Sequence, residues 1–179
     1  INITPNSIIL EPFGKNTAPA ITVSTLLANK DNEDPLMLIL SSDHFIENRE
    51  QFQEIIKEGI TYALNEKIVT FGVVPTSAET GYGYIESVNK LSRDNKASPI
   101  KKFIEKPNLD IAQKLFKDSH FSWNSGIFLF KSSTILNELN RLQPDLVNLC
   151  RKSLEFSQVD LNFTRLNKKY FSDCPNIPI

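Results

Sequence analysis

The feature that most constrains the fold is the segment 35–45, in which five consecutive apolar residues, 36–40, are followed by polar ones. An apolar run without the alternation of a half-exposed strand predicts a strand covered on both faces, as in a parallel sheet flanked by helices. In open α/β sheets ligands bind at the carboxyl ends of the strands. The polar residues that follow this run are therefore a candidate site: Ser41, Ser42, Asp43 and His44.

Asp43 has two interpretations at this point. A carboxylate is costly to desolvate unless it binds a cation or accepts several hydrogen bonds, which favours a metal or ligand role. Aspartate is also a preferred N-cap residue, and a strongly amphipathic helix is predicted shortly afterwards, over residues 49–65. The residues alone leave both interpretations open.

A second candidate site is the segment 11–20, Glu-Pro-Phe-Gly-Lys-Asn-Thr-Ala-Pro-Ala, which follows a short apolar strand. Asn16 or Thr17 can cap a helix that has Pro19 in its first turn. The free N–H groups and positive dipole end of such a helix favour an anion. The alternative is an ordinary capped helix without a ligand.

The segment 75–84, Pro-Thr-Ser-Ala-Glu-Thr-Gly-Tyr-Gly-Tyr, interrupts the alternation of strands and helices. Gly81 and Gly83 permit a ligand to approach the main chain closely. Tyr82 and Tyr84 add flat apolar surface with hydroxyl groups. A plain hairpin loop is the alternative, but a segment so rich in turn residues favours a binding loop.

The rest of the chain alternates strand and helix patterns, which predicts one α/β domain. The net charge of −1 argues against a nucleic-acid partner, and no apolar run is long enough to span a membrane. Cys150 and Cys174 lack metal-binding spacing and fit a reducing, cytoplasmic setting. Because the chain opens on Ile1 and stops without an obvious terminal element, we expect it to be a piece of a longer polypeptide.

Five segments in series resemble mannose-1-phosphate guanylyltransferases, both the monofunctional enzymes and the N-terminal half of those fused to mannose-6-phosphate isomerase. They are Glu11-Pro-Phe-Gly-Lys-Asn-Thr-Ala-Pro-Ala, Ser42-Asp-His, Glu79-Thr-Gly-Tyr-Gly-Tyr-Ile, Phe103-Ile-Glu-Lys-Pro and Trp123-Asn-Ser-Gly-Ile-Phe-Leu-Phe. The resemblance implies a Rossmann-like nucleotidyltransferase fold with a mixed, mostly parallel central sheet and helices on both faces. It also implies a partial domain over residues 1–179, since the family's G-x-G-x-R-L-W-P signature and second metal-binding aspartate do not occur here.

The activity that the resemblance implies is transfer of GMP from GTP to mannose 1-phosphate. The products are pyrophosphate and GDP-mannose, a nucleotide sugar for polysaccharide biosynthesis. Mg²⁺ is the implied cofactor, and the implied partners are the two substrates, with no nucleic acid and no membrane. Homo-oligomerisation stays open, and residues 1–179 alone are expected to be inactive because the basic signature residues are missing.

The resemblance also implies roles for single residues. Asp43 matches the catalytic aspartate that binds the metal. Trp123 and Phe121 are expected to be core residues, because aromatic side chains beside a buried strand mostly pack in the core. The implied nucleotide-binding residues are Glu11, Asn16 and Thr17, and the implied sugar-phosphate-binding residues are Tyr82, Gly83, Glu105, Lys106 and Asn124. For Glu105 and Lys106 the alternative is a surface ion pair.

Three other functions compete with this hypothesis. A different sugar-1-phosphate nucleotidyltransferase would share the sheet and Asp43. A non-catalytic regulatory subunit would bind the nucleotide sugar without turnover. A phosphatase would use Asp43 as a nucleophile, but the neighbouring acid that such enzymes use is not found.

Overall fold

The structure, a computed structural model, describes residues 4–30, 33–92 and 97–179. The chain forms two compact units. The first comprises Ile1–Ile39, Asn48–Ile68 and Leu129–Ile179, and the second comprises Leu40–Glu47 and Val69–Phe128. Each unit contains both strands and helices, which confirms the predicted α/β class.

The first unit is built mainly from helices. Its strands and helices are β1 (Ile8–Leu10), α1 (Thr17–Ala28), β2 (Leu36–Ile39), α2 (Arg49–Leu64), α4 (Ser132–Leu142), α5 (Pro144–Glu155), β7 (Gln158–Asp160), β8 (Phe163–Arg165) and α6 (Lys168–Ser172). Helix α1 contacts α4 and α5, and α5 also contacts α6. Strand β8 lies between β1, to which it is parallel, and β7, to which it is antiparallel.

Helix α1 is buried along most of its length, although it carries two threonines in its core. Thr22 and Thr25 are fully buried, and their hydroxyls donate to the carbonyls of Ala18 and Ile21 at 2.7 Å each. These bonds satisfy polar groups that would otherwise be costly to bury. The helix can therefore pack against α4 and α5 with no unpaired threonine hydroxyl.

The two cysteines lie in the core of the first unit. Cys150 of α5 and Cys174 are both free and buried, with their Sγ atoms 3.9 Å apart. A disulfide has an S–S distance near 2.05 Å, so the two groups are thiols in van der Waals contact. Both thiols are therefore part of the packed core of this unit.

Helix α4 is capped by a side chain from a distant part of the sequence. Its N-cap residue, Lys131, makes no side-chain cap bond. The carboxylate of Asp34 caps the helix instead, because it accepts from the N–H of Ser133 at 2.7 Å. It also accepts from the hydroxyls of Ser132 and Ser133 at 2.9 Å each, and from Lys131 Nζ at 2.8 Å. The Lys131 ammonium and these hydrogen bonds hold the pKa of Asp34 well below its usual range.

The second unit is a sheet with one helix packed against it. It contains β3 (Val69–Val73), β4 (Tyr84–Ser87), β5 (Ile100–Ile104), α3 (Leu109–Phe116) and β6 (Phe121–Lys131) up to Phe128. Strand β4 is antiparallel to both β5 and β6, and β3 also pairs with β6. Tyr84 lies opposite Ile104 and Trp123 and is fully buried with Ala112 and Leu115 of α3.

The apolar run at residues 36–40 forms strand β2 up to Ile39, but its side chains are only partly buried. Leu38 is 37% exposed and Leu40 is 50% exposed. The expected cover on both faces is therefore incomplete among the described residues.

Candidate functional site

The predicted site residues divide between the two units. Glu11, Asn16 and Thr17 belong to the first unit. The others belong to the second unit: Asp43, Tyr82, Gly83, Glu105, Lys106 and Asn124.

At the N-terminus of α1, in the first unit, the first N–H groups donate to acceptors of the protein itself. Asn16, with φ of 67°, is the N-cap, and its Oδ1 accepts from the N–H of Thr17 at 2.9 Å. The N–H of Ala18 donates to the carbonyl of Ile177 at 3.2 Å, and Pro19 has no N–H. The Thr17 hydroxyl accepts from the N–H of Ile179 at 3.0 Å. This arrangement favours the capped-helix interpretation over an anion site at α1.

Glu11 differs from Asn16 and Thr17, the other predicted nucleotide-binding residues. Its Oε1 atom is buried and has no hydrogen-bond partner among the described residues. Burial raises the pKa of the Glu11 carboxyl. The side chain lines an open cavity of about 470 Å³ together with Arg165, Lys168 and Lys169. A buried acceptor without a donor requires an explanation, and a ligand that donates hydrogen bonds would supply one.

Asp43 lies in the exposed turn that follows β2. The capping interpretation is wrong, because α2 begins only at Arg49 and its N-cap is Asn48, whose side chain accepts from the N–H of Gln51. The hydroxyl of Ser41 donates to Asp43 Oδ1, and this bond is the main reason that the pKa of Asp43 is lowered. The carboxylate is therefore ionised at neutral pH and open to a cation. No cluster of three or more metal-ligating side chains occurs within residues 4–30, 33–92 and 97–179.

Three residues of the predicted sugar-phosphate group lie together in the second unit. A Cβ atom placed on Gly83 would lie 2.9 Å from Glu105 Oε2 and 3.6 Å from the Cβ of Asn124. The N–H of Asn124 donates to the carbonyl of Gly83 at 2.8 Å. The antiparallel pairing of β4 with both β5 and β6 produces this convergence. Tyr84 is paired with Ile104 and with Trp123, and the three residues are the chain neighbours of these paired positions. A Cβ atom at residue 83 would therefore crowd the Glu105 carboxylate, which would have to shift.

Lys106 lies at the edge of this group. Its Nζ is 3.7 Å from Glu105 Oε1, and both side chains are mostly exposed. At this distance and exposure the pair contributes little stability, so both charged groups remain available to a ligand. Lys106 has a φ of 38°, an uncommon conformation for a residue with a side chain.

Sequence reasoning missed two features of this region. Ser41 was among the polar residues after the strand, yet its bond to Asp43 could only be inferred once the turn was known. Trp123 was expected to be core, and it does pack against the buried cluster. It also contacts Tyr82, with ring centroids 5.2 Å apart and an interplanar angle of 73°.

No helix in the described part of the chain is long and apolar enough to cross a membrane. A family model described as nucleotidyl transferase matches residues 2–174. The chain belongs to the nucleotidyl transferase family. The match confirms the similarity to nucleotidyl transferases that the five segments indicated.

Two curated relatives and one solved structure illustrate where this nucleotidyl transferase chain lies within the family. The chain is 46% identical over 173 residues to mannose-1-phosphate guanylyltransferase RfbM of Salmonella typhimurium, covering 96% of this chain and 36% of that protein. It is 42% identical over 176 residues to the xanthan biosynthesis protein XanB of Xanthomonas campestris, covering 98% of this chain and 37% of that protein. The chain therefore spans little more than a third of the length of these relatives.

The solved structure is a crystal structure of mannose-6-phosphate isomerase from Helicobacter pylori. It superposes on this nucleotidyl transferase chain with a TM-score of 0.82 and 34% sequence identity. The match covers 97% of this chain and 65% of that chain. The similarity extends over nearly every element described above.

Proposed function

We propose that the chain is part of a mannose-1-phosphate guanylyltransferase, which transfers GMP from GTP to mannose 1-phosphate and releases pyrophosphate. Support comes from the relatives of that name, which are 40–46% identical over almost the whole chain. The structural observation that carries the proposal is the meeting of Glu105, Gly83 and Asn124, an arrangement suited to a polyhydroxylated ligand. In this proposal residues 1–179 form part of a nucleotidyltransferase domain.

The sugar 1-phosphate is held by the residues of the second unit. The Glu105 carboxylate accepts hydrogen bonds from sugar hydroxyls, and each such charge-assisted bond contributes about 1.5–3 kcal/mol. The Asn124 amide binds another hydroxyl, and the main chain at Gly83 can approach the sugar because no Cβ is present. Lys106, whose partner Glu105 is then occupied by the sugar, neutralises the sugar phosphate.

Asp43 is proposed as the metal ligand. A single exposed carboxylate fits Mg²⁺, which keeps several waters and binds through one or two carboxylates together with substrate phosphates. When bound, Mg²⁺ supplies positive charge that offsets the charge on the phosphate oxygens. Ser41 donates to Asp43 Oδ1 and lowers the pKa of the carboxyl further, although an aspartate with an ordinary pKa is also ionised at neutral pH.

The nucleotide is assigned to Glu11, Asn16 and Thr17, of which Glu11 has the clearest chemistry. Its buried Oε1 needs a donor, and guanine presents two adjacent N–H donors on its Watson–Crick edge. Adenine presents one donor beside an acceptor, which a carboxylate would repel. Asn16 and Thr17 shape the loop through the cap and the bond from Ile179.

The reaction joins two anions, so positioning and charge neutralisation are the protein's main tasks. A phosphate oxygen of mannose 1-phosphate attacks the α-phosphorus of GTP, and the bond to pyrophosphate breaks. No protein nucleophile is required. We place the enzyme in the cytoplasm, in agreement with its two free thiols; its oligomeric state is not part of the proposal.

The test is to incubate the intact protein with GTP, mannose 1-phosphate and Mg²⁺ and to quantify GDP-mannose and pyrophosphate. ATP, UTP and glucose 1-phosphate are the competing substrates. Preference for GTP and mannose 1-phosphate supports the proposal, whereas preference for another pair indicates a different sugar-1-phosphate nucleotidyltransferase. Binding of GDP-mannose without any turnover indicates a regulatory subunit.

A further inference from the structure

Trp123 is the one tryptophan of the chain, and it lies in β6 directly opposite Tyr84 of β4. One part of its indole packs against the buried cluster of Tyr84, Ala112 and Leu115. Its Nε1 atom is buried without a hydrogen-bond partner among the described residues. The indole is therefore held in place by packing.

Tyr82 depends on this indole for its orientation. The residue is 53% exposed, and among the described residues its side chain has a ring contact with Trp123. The edge-to-face geometry, with centroids 5.2 Å apart and planes at 73°, is the favourable one for two aromatic rings. Without this contact, the phenol ring would be free to adopt other rotamers.

The main chain on the C-terminal side of Tyr82 is fixed independently of Trp123's side chain. The carbonyl of Gly83 accepts from the N–H of Asn124 at 2.8 Å. The hydroxyl of Tyr84 donates to the carbonyl of Glu79 at 2.9 Å, which ties the two ends of the loop together. The loop backbone is thus held by hydrogen bonds, while the Tyr82 ring is held by Trp123.

We propose that Trp123 is a positioning residue for sugar recognition, which acts by holding the Tyr82 ring beside the group formed by Gly83, Glu105 and Asn124. This inference rests on the proposed function, because it takes the sugar of a nucleotide sugar as the ligand of that group. A pyranose presents C–H groups on its faces, and a flat aromatic ring with a hydroxyl at its rim suits such a surface. Trp123 itself does not contact the sugar.

The decisive measurement is a double-mutant cycle on ligand binding by the intact protein, with isothermal titration calorimetry of GDP-mannose and of GDP. The ratio of the two dissociation constants isolates the contribution of the sugar. Trp123→Leu should weaken GDP-mannose binding by roughly two- to tenfold and leave GDP binding unchanged, because an aromatic pair of this kind is lost. Trp123→Phe, which keeps a ring at the contact, should recover most of the affinity.

The cycle is closed with Tyr82→Ala. In that background, Trp123→Leu should have no further effect on GDP-mannose binding, since its effect passes through Tyr82. Equal losses with and without Tyr82 would show that Trp123 acts by another route and would overturn the proposal. The same holds if Trp123→Leu weakens GDP binding as much as GDP-mannose binding.

Phe121→Leu is the matched control for a merely structural role. Phe121 lies two residues earlier on β6 and packs against the same cluster, but its described contacts do not include Tyr82. Phe121→Leu should lower the melting temperature as Trp123→Leu does. It should not change the ratio of the GDP-mannose and GDP dissociation constants. A protein that binds GDP-mannose in the expected cycle but transfers no GMP contradicts the proposed function alone. A protein that binds GDP-mannose no better than GDP contradicts this inference.

Discussion

Gly83→Ala should affect ligand binding more than stability, because the new methyl group would contact one flexible side chain. The added Cβ would lie 2.9 Å from Glu105 Oε2, which is inside van der Waals contact. The Glu105 side chain is 74% exposed, so its carboxylate can move by a few tenths of an ångström at little cost. Stability should therefore change by no more than about 0.5 kcal/mol, helped by the lower chain entropy of alanine in the unfolded state.

Binding should respond more strongly than stability. A displaced carboxylate loses a charge-assisted hydrogen bond to a sugar hydroxyl, which is about 1.5–3 kcal/mol or roughly a 10- to 150-fold loss in affinity. The assay is calorimetric titration of GDP-mannose into the intact protein, with GDP as the ligand that lacks the sugar. Urea unfolding measures the stability of each variant.

Gly81→Ala is the matched control, because nothing lies within 4 Å of a Cβ at that position in the same loop. It should bind GDP-mannose like the parent protein. The reasoning is refuted if Gly83→Ala retains full affinity, or if Gly81→Ala loses as much. A large fall in stability for Gly83→Ala would show that the contact with Glu105 is part of the fold.

Three further predictions concern carboxylates. Asp43→Asn should lower guanylyl transfer at least a hundredfold with an unchanged circular dichroism spectrum. Ser41→Ala should keep most of the turnover at pH 7, because Asp43 is still ionised there without the hydrogen bond from Ser41. Asp34→Ala should cost about 1 kcal/mol in urea unfolding by removing the cap of α4. The pKa of Asp34 is lowered in the folded state, so its contribution to stability should be complete above a pH of about 4, the unfolded pKa. The contribution should disappear as the pH falls further toward the folded pKa. A difference in unfolding free energy between the parent and Asp34→Ala that does not change in acid would contradict this. Glu11→Gln should reduce the preference for GTP over ATP by about tenfold or more, since an amide can donate to adenine, and an unchanged preference would remove Glu11 from base recognition.

Local patterns were sufficient to locate most elements. Cap residues predicted a helix after Asn16 or Thr17, and apolar residues at helical spacing predicted another over residues 49–65; the structure contains α1 and α2 at these places. These elements depend on side-chain periodicity and caps, which are properties of neighbouring residues. Strand β6 is less evident from local pattern, because it continues through three polar residues, Ser122, Asn124 and Ser125.

The candidate site could be predicted only in part. The residue types at positions 43, 83, 105 and 124 followed from the sequence and its resemblance to a family. Their spatial relations did not, because Glu105 lies 22 residues after Gly83 and Asn124 a further 19 residues on, and the three meet only when three strands pair in the correct register.

By itself the sequence determined the α/β class, the chemical character of the loops and the family to which the chain belongs. Only the tertiary structure decided that Asp43 caps no helix, that Asp34 caps a helix far along the chain, and that the rings of Trp123 and Tyr82 are in contact. The physical reason is the range of the interactions: periodicity and capping act within a few residues, whereas hydrogen bonds and ring contacts between distant segments exist only after the chain has folded.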